Sequence, residues 1–369
     1  MMSQPLTYCL FGLPLHAVTE LRAIRLIRDA IGNRQRLFLT TPNLNFVICC
    51  QNSAEFRESV IDSDLVVADG MPLVWAARLL GLPIRERVAG SNIFERLCFD
   101  AMDHMAEPIK VFFFGGPEGA GESACRRLNA DANGAICVGH MSPGFGSIES
   151  MSSSEVINVI NASQADFLVV SLGAVKGQAW IQHNRNRLSV PVISHLGAVV
   201  NFAAGTIQRA PRWMQATGLE WLWRIKEEPK LIRRYLSDGL GLIRLLFRCV
   251  LPCWLNERWK AVSENEYRCA HHSLNKNIEG VTLSLYGAWG AANRDRLNCL
   301  LKQQMNVKGP LCIDLSAVSY VDSAVFGEIM SLMNSRRALH SKFAFAPVGQ
   351  NVRRYFEWYG VSHLLGSCA

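Results

Sequence analysis

Little in this sequence speaks for a zinc protein, a membrane-spanning protein or a secreted one. Its twelve cysteines include no CxxC pair and no His/Cys cluster at zinc spacing. Scattered as they are, with Cys49, Cys50, Cys249 and Cys253 among them, they read as small buried hydrophobes in a reducing compartment. No run reaches the roughly 20 apolar residues that a bilayer span needs. The apolar stretch Tyr8 to Leu15 has no basic residue before it and no small-residue cleavage site, so it reads as a first strand rather than a signal peptide. A cytoplasmic protein is expected. No GxGxxG is followed by an acid about 20 residues on, which argues against a nucleotide-dependent dehydrogenase. No glycine loop carries the lysine of a Walker motif.

What is present favours two folded units. The 369 residues are 49% hydrophobic, enough for a sizeable core and long enough for two domains at about 150 residues each. The formal charge of +7 is unevenly placed: residues 205–260 hold eleven Lys and Arg against five Asp and Glu, together with five of the nine tryptophans. Such a concentration suits an anionic partner. Because the rest of the chain is not basic, nucleic acid is not expected among its partners.

Strand-like and helix-like stretches alternate through the first 200 residues. Val18–Ile31 has helical period, with Thr19 as a cap and Gly32 just past its end. Leu37–Thr40 is a strand delivering Thr41-Pro42-Asn43, where Pro42 forces Thr41 toward an extended conformation. Leu65–Ala68 is a short apolar run that stops at Asp69-Gly70. Further strands end at Gly115-Gly116, at Ser171-Leu172-Gly173 and at His195-Leu196-Gly197. This pattern predicts an α/β fold, Rossmann-like, with a mostly parallel sheet and helices on both faces. In such sheets ligands bind at the carboxyl ends of strands. Asp69 therefore has two readings: a carboxylate placed for chemistry, or a turn residue capping the helix that follows. Gly115 and Gly116 open onto a helix, a geometry that can cradle a phosphate on backbone N–H groups. Asp62-Ser63-Asp64 has the DxD pattern of a metal site, but its place between a helix and a buried strand suits turn chemistry. Arg209 and Arg224 lie in stretches dense in groups that bind phosphate or stack on rings, and an arginine fork suits a diphosphate.

Several of these motifs recur in one order: TPN at Thr41, DG at Asp69, ERVAG from Glu86 to Gly90, then GTIQRAP, GLEWLWR and EEP. That order resembles the WecG/TagA/CpsF glycosyltransferases (glycosyltransferase family 26), over roughly Leu6 to Leu236. The resemblance implies an inverting transfer of an N-acetylmannosamine-type sugar from a UDP donor to a polyprenyl-diphosphate-linked acceptor, with no cofactor and no metal. Inversion requires a base, and Asp69 is the candidate, with Thr41 and Asn43 orienting the acceptor or the base. By the same resemblance Arg87, in the motif that ends at Gly90, stabilises the leaving diphosphate. Gly115, Gly116 and Gly173 would form the nucleotide cleft, and Arg209 and Arg224 lie on the segment that closes over the site. The chain departs from the family pattern twice. Where a Gly-x-Pro-Lys-Gln-Glu motif is common, it reads Gly173-Ala174-Val175-Lys176-Gly177-Gln178, and an aspartate is replaced by Asn201. Gln178 and Asn201 thus stand at the expected donor site, where they bear on donor identity and on activity itself.

Four segments are expected: a transferase domain at 1–204, a basic and aromatic helical appendage at 205–256, a linker at 257–277, and a second domain at 278–369. Leu240–Leu255 is strongly apolar with Gly241, Arg244 and Arg248 on a narrow polar stripe. It suits a helix lying in an anionic membrane interface, which would hold the protein peripherally on the inner face of the cytoplasmic membrane. The alternative is packing on the core or on another subunit. The last domain, with Val321-Asp322-Ser323-Ala324-Val325-Phe326-Gly327, resembles a STAS domain of the anti-sigma-factor-antagonist type. In phosphorylated members the acceptor serine follows Asp-Ser; here that position is Ala324, so a docking role toward a protein partner or the catalytic domain is expected. The family resemblance also implies that activity depends on subunit association and on folding of the basic tail. A rival reading is a scaffold whose degenerate transferase domain and STAS domain recruit partners at the membrane.

Overall fold

The computed structural model describes residues 5–99, 107–131, 134–206, 209–260, 262–277, 280–305, 307, 309–339 and 341–366. Two compact units share the chain: one is built from Val18–Val74 and Glu86–Gly239, the other from Met1–Ala17, Trp75–Arg85 and Leu240–Ala369.

In the first unit six strands form a wholly parallel sheet. Numbering all strands in chain order, these are β3 (Leu37–Thr40), β4 (Leu65–Val66), β5 (Ile109–Gly115), β6 (Ala135–Met141), β7 (Phe167–Ser171) and β8 (Val192–His195). They lie in the order β4-β3-β8-β7-β5-β6. Alternate residues of each strand feed opposite cores, as the period of two requires. Val111, Phe113, Phe167, Val169, Leu39 and Val192 meet the helices Glu20–Gly32 and Gly90–Phe99 on one face. Phe112, Phe114, Leu168, Val170, Phe38 and Ile193 meet Ile157, Ile160, Trp180 and Ile181 on the other. Both faces are covered, which is why these strands read as near-continuous apolar runs. Thr19 caps Glu20–Gly32 by accepting the N–H of Arg22 at 3.2 Å.

The second unit holds a four-stranded sheet and a hairpin. β9 (His271–Asn277), β10 (Gly280–Trp289), β11 (Leu311–Val321) and β12 (Phe343–Phe345) lie in the order β12-β11-β10-β9, with only β9 antiparallel to its neighbour. The expected linker is therefore structured: the helix Glu264–Cys269 is closed by a Ser263/Glu266 capping box, and β9 continues directly from it.

The apolar run at the start of the chain is also placed differently from the expectation. β1 (Thr7–Leu10) and β2 (Leu13–His16) pair antiparallel about Phe11 (φ 54°) and Gly12 (φ 80°), the positive dihedrals a two-residue hairpin requires. The hairpin packs on the helix Ser323–Ala338 of its own unit. Ser323 Oγ donates to Cys9 O at 2.8 Å, and Arg294, paired with buried Glu328, donates to Thr7 O at 2.7 Å. A Cβ at Gly327 would overlap Thr7 O, so the close approach depends on glycine there.

Leu245, Cys249, Val250 and Cys253 are buried within this second unit, Cys249 lying against Glu357 O, while Leu240, Ile243, Phe247 and Leu251 are exposed. One face of the strongly apolar helix thus packs on its own domain and another is open. No helix among the described residues is long and apolar enough to cross a membrane. The cysteines are not all free: Cys125 and Cys137 are bonded to each other, joining the helix Ala120–Asp131 to β6.

Candidate functional site

The predicted residues gather along the carboxyl edge of the parallel sheet, at the ends of five neighbouring strands. β3 leads into Thr41-Pro42-Asn43. Beyond β4 the chain stays bonded to that loop, with Val67 N donating to Thr40 O at 3.0 Å and Asp69 N to Pro42 O at 2.9 Å. Asn43 caps the helix Leu44–Asn52 by accepting the N–H of Phe46, and Gly70 lies against its Cα and Cβ. Asp69 does not cap the helix after it. Its Oδ2 accepts the N–H of Gly90 at 3.4 Å, and Oδ1 stands 3.5 Å from Arg87 Nε. Thr41, buried against Gly90, has no hydrogen-bond partner for its hydroxyl among the described residues.

Arg87 is enclosed on three sides. Nη2 meets Glu220 at 2.7 Å and Nη1 donates to Gln215 O at 3.4 Å, in addition to the longer contact with Asp69. Burial pushes the Asp69 carboxyl up to about 7; Arg87 opposes this, Glu220 adds to it, and Gly90 N–H and Arg224 oppose it more weakly. Arg209 ties its segment to the start of the helix Gly90–Phe99, bonding Glu95, Asn92 and Ser91 (3.1 Å). The neighbouring Ile207 and Gln208 of the GTIQRAP motif lie outside the described residues. The Arg224 guanidinium has no hydrogen-bond partner among the described residues, although it acts electrostatically on Asp69. Asn45 holds buried Asp238 at 3.2 Å, tying the middle of the helix Ile232–Leu245 to the first turn of the helix Leu44–Asn52.

A second group lies further along the edge. Gly115 (φ 93°) sits against Ser171 and Leu172, and Gly116 (φ 89°) against Val200, the residue before Asn201. Gly173 starts the helix Ala174–Asn184 with open space where a side chain would be. Backbone N–H groups and an open floor at this point can receive an anion.

Gln178 is completely buried, its amide donating to Thr40 Oγ1 at 3.0 Å, so it braces the sheet edge from behind. The departure at Gly177 has a local cause: a Cβ there would overlap the His195 ring. His195 Nε2 lies 2.6 Å from Leu172 O, and because a carbonyl only accepts, that nitrogen carries the proton. Burial lowers the His195 pKa and keeps the ring neutral. The DxD carboxylates are structural: Asp62 accepts from Gln182 at 2.8 Å and Asp64 from Phe38 N at 2.8 Å. Among the described residues no group of three or more His, Cys, Asp or Glu is arranged to hold a metal ion. Glu220 and Gln215 were not foreseen as neighbours of Arg87; the available signal was an acid between the arginines at 209 and 224.

Comparison with known proteins bears on this geometry. The model of the Glycosyl transferase WecG/TagA/CpsF family matches residues 8–254, and the model of the Mlab, STAS domain matches residues 272–366. An N-acetylglucosaminyldiphosphoundecaprenol N-acetyl-beta-D-mannosaminyltransferase of Bacillus spizizenii is 27% identical over 200 residues, covering 54% of this chain and 75% of its own length. The protein of the same name from Staphylococcus aureus is 25% identical over 239 residues, covering 64% and 91%. Among solved structures, the anti-sigma factor antagonist SpoIIAA in its unphosphorylated form aligns with a TM-score of 0.24 and 14% identity, over 26% of this chain and 84% of that one.

Proposed function

The chain belongs to the WecG/TagA/CpsF family of glycosyl transferases, and from that premise we propose that it moves an N-acetylmannosamine-type sugar, or a related N-acetylhexosamine or uronate, from a UDP donor to a sugar on undecaprenyl diphosphate. The product would serve cell-envelope or exopolysaccharide synthesis. The observation that carries this reading is the Asp69 carboxyl, held near 7 at the carboxyl edge of the sheet, beside Arg87 and under the charge of Arg224, whose guanidinium bonds nothing among the described residues. A base with a pKa near the working pH is suited to proton transfer.

The acceptor hydroxyl attacks the anomeric carbon from the face opposite UDP, and the centre inverts. Asp69 takes the hydroxyl proton, and the UDP oxygen leaves with the electron pair of the broken bond. Thr41, whose buried hydroxyl bonds nothing among the described residues, and Asn43, which stabilises the loop under Asp69, orient the acceptor or the base. Arg224 receives the diphosphate and Arg87 adds positive charge behind it, a task a metal performs in other transferases. Arg209 fixes the segment that carries Glu220 and Arg224. Gly115, Gly116 and Gly173 offer backbone N–H groups to the nucleotide, next to Asn201.

The exposed residues Leu240, Ile243, Phe247 and Leu251, with Arg244 and Arg248 nearby, support peripheral attachment to an anionic membrane surface, where the lipid-borne acceptor is found. The STAS domain is assigned to docking a protein partner.

The test is UDP release from a panel of UDP-N-acetylhexosamines and their uronates, with a short-chain lipid-diphosphate-GlcNAc acceptor and no added metal. Acceptor-dependent turnover that Asp69→Asn abolishes is the expected result. Silence from every donor, with the protein folded and bound to liposomes, would favour the scaffold.

A further inference from the structure

We infer that Glu220 is a positioning residue for the transfer: it takes the terminal edge of the Arg87 guanidinium and so leaves the Asp69 carboxylate only loosely paired and open to a proton. This rests on Asp69 being the base.

The geometry is a competition for one cation. Glu220 Oε2 is 2.7 Å from Arg87 Nη2, within charge-assisted hydrogen-bond range, whereas Asp69 Oδ1 is 3.5 Å from Nε, too long for a good hydrogen bond. The Gln215 carbonyl faces Nη1 at 3.4 Å, a second, weaker contact of the guanidinium with the same segment as Glu220. The side chains of Arg87 and Glu220 are 13% and 17% exposed, so water does little to screen the pair. Arg87 could turn fully onto Asp69 only if Glu220 released it.

The charged groups acting on Asp69 come from separate parts of the fold. Arg87 precedes the helix Gly90–Phe99; Glu220 and Arg224 lie one turn apart on the helix Glu220–Glu227. Arg209, whose pKa burial lowers, also acts electrostatically on Glu220, Arg87 and Asp69; Glu20, at the start of its helix, acts more weakly on both arginines and is paired with Arg96 at 3.1 Å. Gly90 and Thr41, which complete the wall, carry no charge. Among these groups only Glu220 both engages Arg87 directly and pushes the Asp69 carboxyl upward. Glu220 thereby tunes the base without touching the substrate.

Removing its charge should let Arg87 close on Asp69 and favour the ionised carboxylate. The experiment compares wild type, Glu220→Gln, Glu220→Asp and Asp69→Asn as full-length protein, using pH profiles of kcat/KM for UDP release. The acid limb should move down by about one pH unit in Glu220→Gln, in keeping with the effect of a close opposite charge. Glu220→Asp keeps the charge but draws it back by one methylene, so its limb should move the same way by less; it also serves if the amide variant does not fold. A limb that stays at the wild-type pH, however far the rate falls, would make Glu220 structural and overturn the inference. An infrared titration provides a readout independent of turnover. The protonated-carboxyl band missing from Asp69→Asn should titrate at lower pH in the Glu220 variants, and an unmoved midpoint overturns the inference equally. Turnover that survives Asp69→Asn would instead remove the base assignment, and so separates the two failures.

Discussion

The backbone N–H of Gly90 donates to Asp69 Oδ2 at 3.4 Å, joining the turn after β4 to the first residue of the helix Gly90–Phe99. A side chain at Gly90 would meet Leu196 and stand 3.0 Å from Thr41 Oγ1. Gly90→Ala should therefore push Thr41 and the helix start away from Asp69. Displacements of about 1 Å in such sites cost on the order of 10²-fold in rate. The expected outcome is a loss of that size in kcat/KM for UDP release, with the melting temperature little changed.

Asp69→Asn should lower turnover by about 10²–10⁴-fold, the usual worth of a positioned base. It should also change how stability depends on pH. Asp69 holds its proton up to about 7 in the folded protein, against about 4 in an unfolded chain. Its contribution to stability is full below the unfolded value and is lost as the pH rises through the folded one. Calorimetry at about pH 4 and about pH 8 should find the variant closest to wild type at the lower pH and more stable than wild type at the higher.

Gln178 gives a contrasting case. Gln178→Leu removes the amide that bonds Thr40, which keeps its 2.7 Å contact with Ser63. The expected cost is about 1 kcal/mol in urea unfolding. KM for the donor should not change, whereas a role in donor binding would raise it.

In the second unit, Glu328→Gln leaves the buried Arg294 guanidinium without its counter-charge. Breaking a buried pair in this way costs about 3–5 kcal/mol. Hydrogen exchange of residues 7–16 should rise sharply, because Arg294 also holds Thr7 O and lies over the Tyr8 ring.

Membrane attachment is tested with Phe247→Asp, which places a charge on the exposed face of its helix. Co-sedimentation with anionic vesicles should fall several-fold relative to wild type. Unchanged binding would assign that face to something other than lipid.

The parallel sheet was legible because both its faces are buried: Phe112 and Phe113 are apolar although they point opposite ways, and such runs cannot be mistaken for half-exposed strands. The Thr19 cap was equally legible, being a local bond between residues three apart. What could not be read came from distant residues. Gln178 sits in a motif that suggests donor binding, yet its burial is set by Thr40 from another strand. The apolar content of Tyr8–Leu15 marked a strand, but period alone does not say which sheet or helix receives it. Glu220 looked like one acid among arginines until Arg87, 133 residues away, was found on it.

The hairpin has a consequence for how the chain is made. Thr7–His16 leaves the ribosome well before Ser323, whose hydroxyl donates to Cys9 O and which is synthesised 314 residues after Cys9. At about 5–20 residues per second that is an interval of some tens of seconds. Through that time Tyr8, Leu10 and Leu13 lack the surface that buries them. The transferase motifs are all translated during this wait, so the second unit can complete its packing only after the first has had the chance to form.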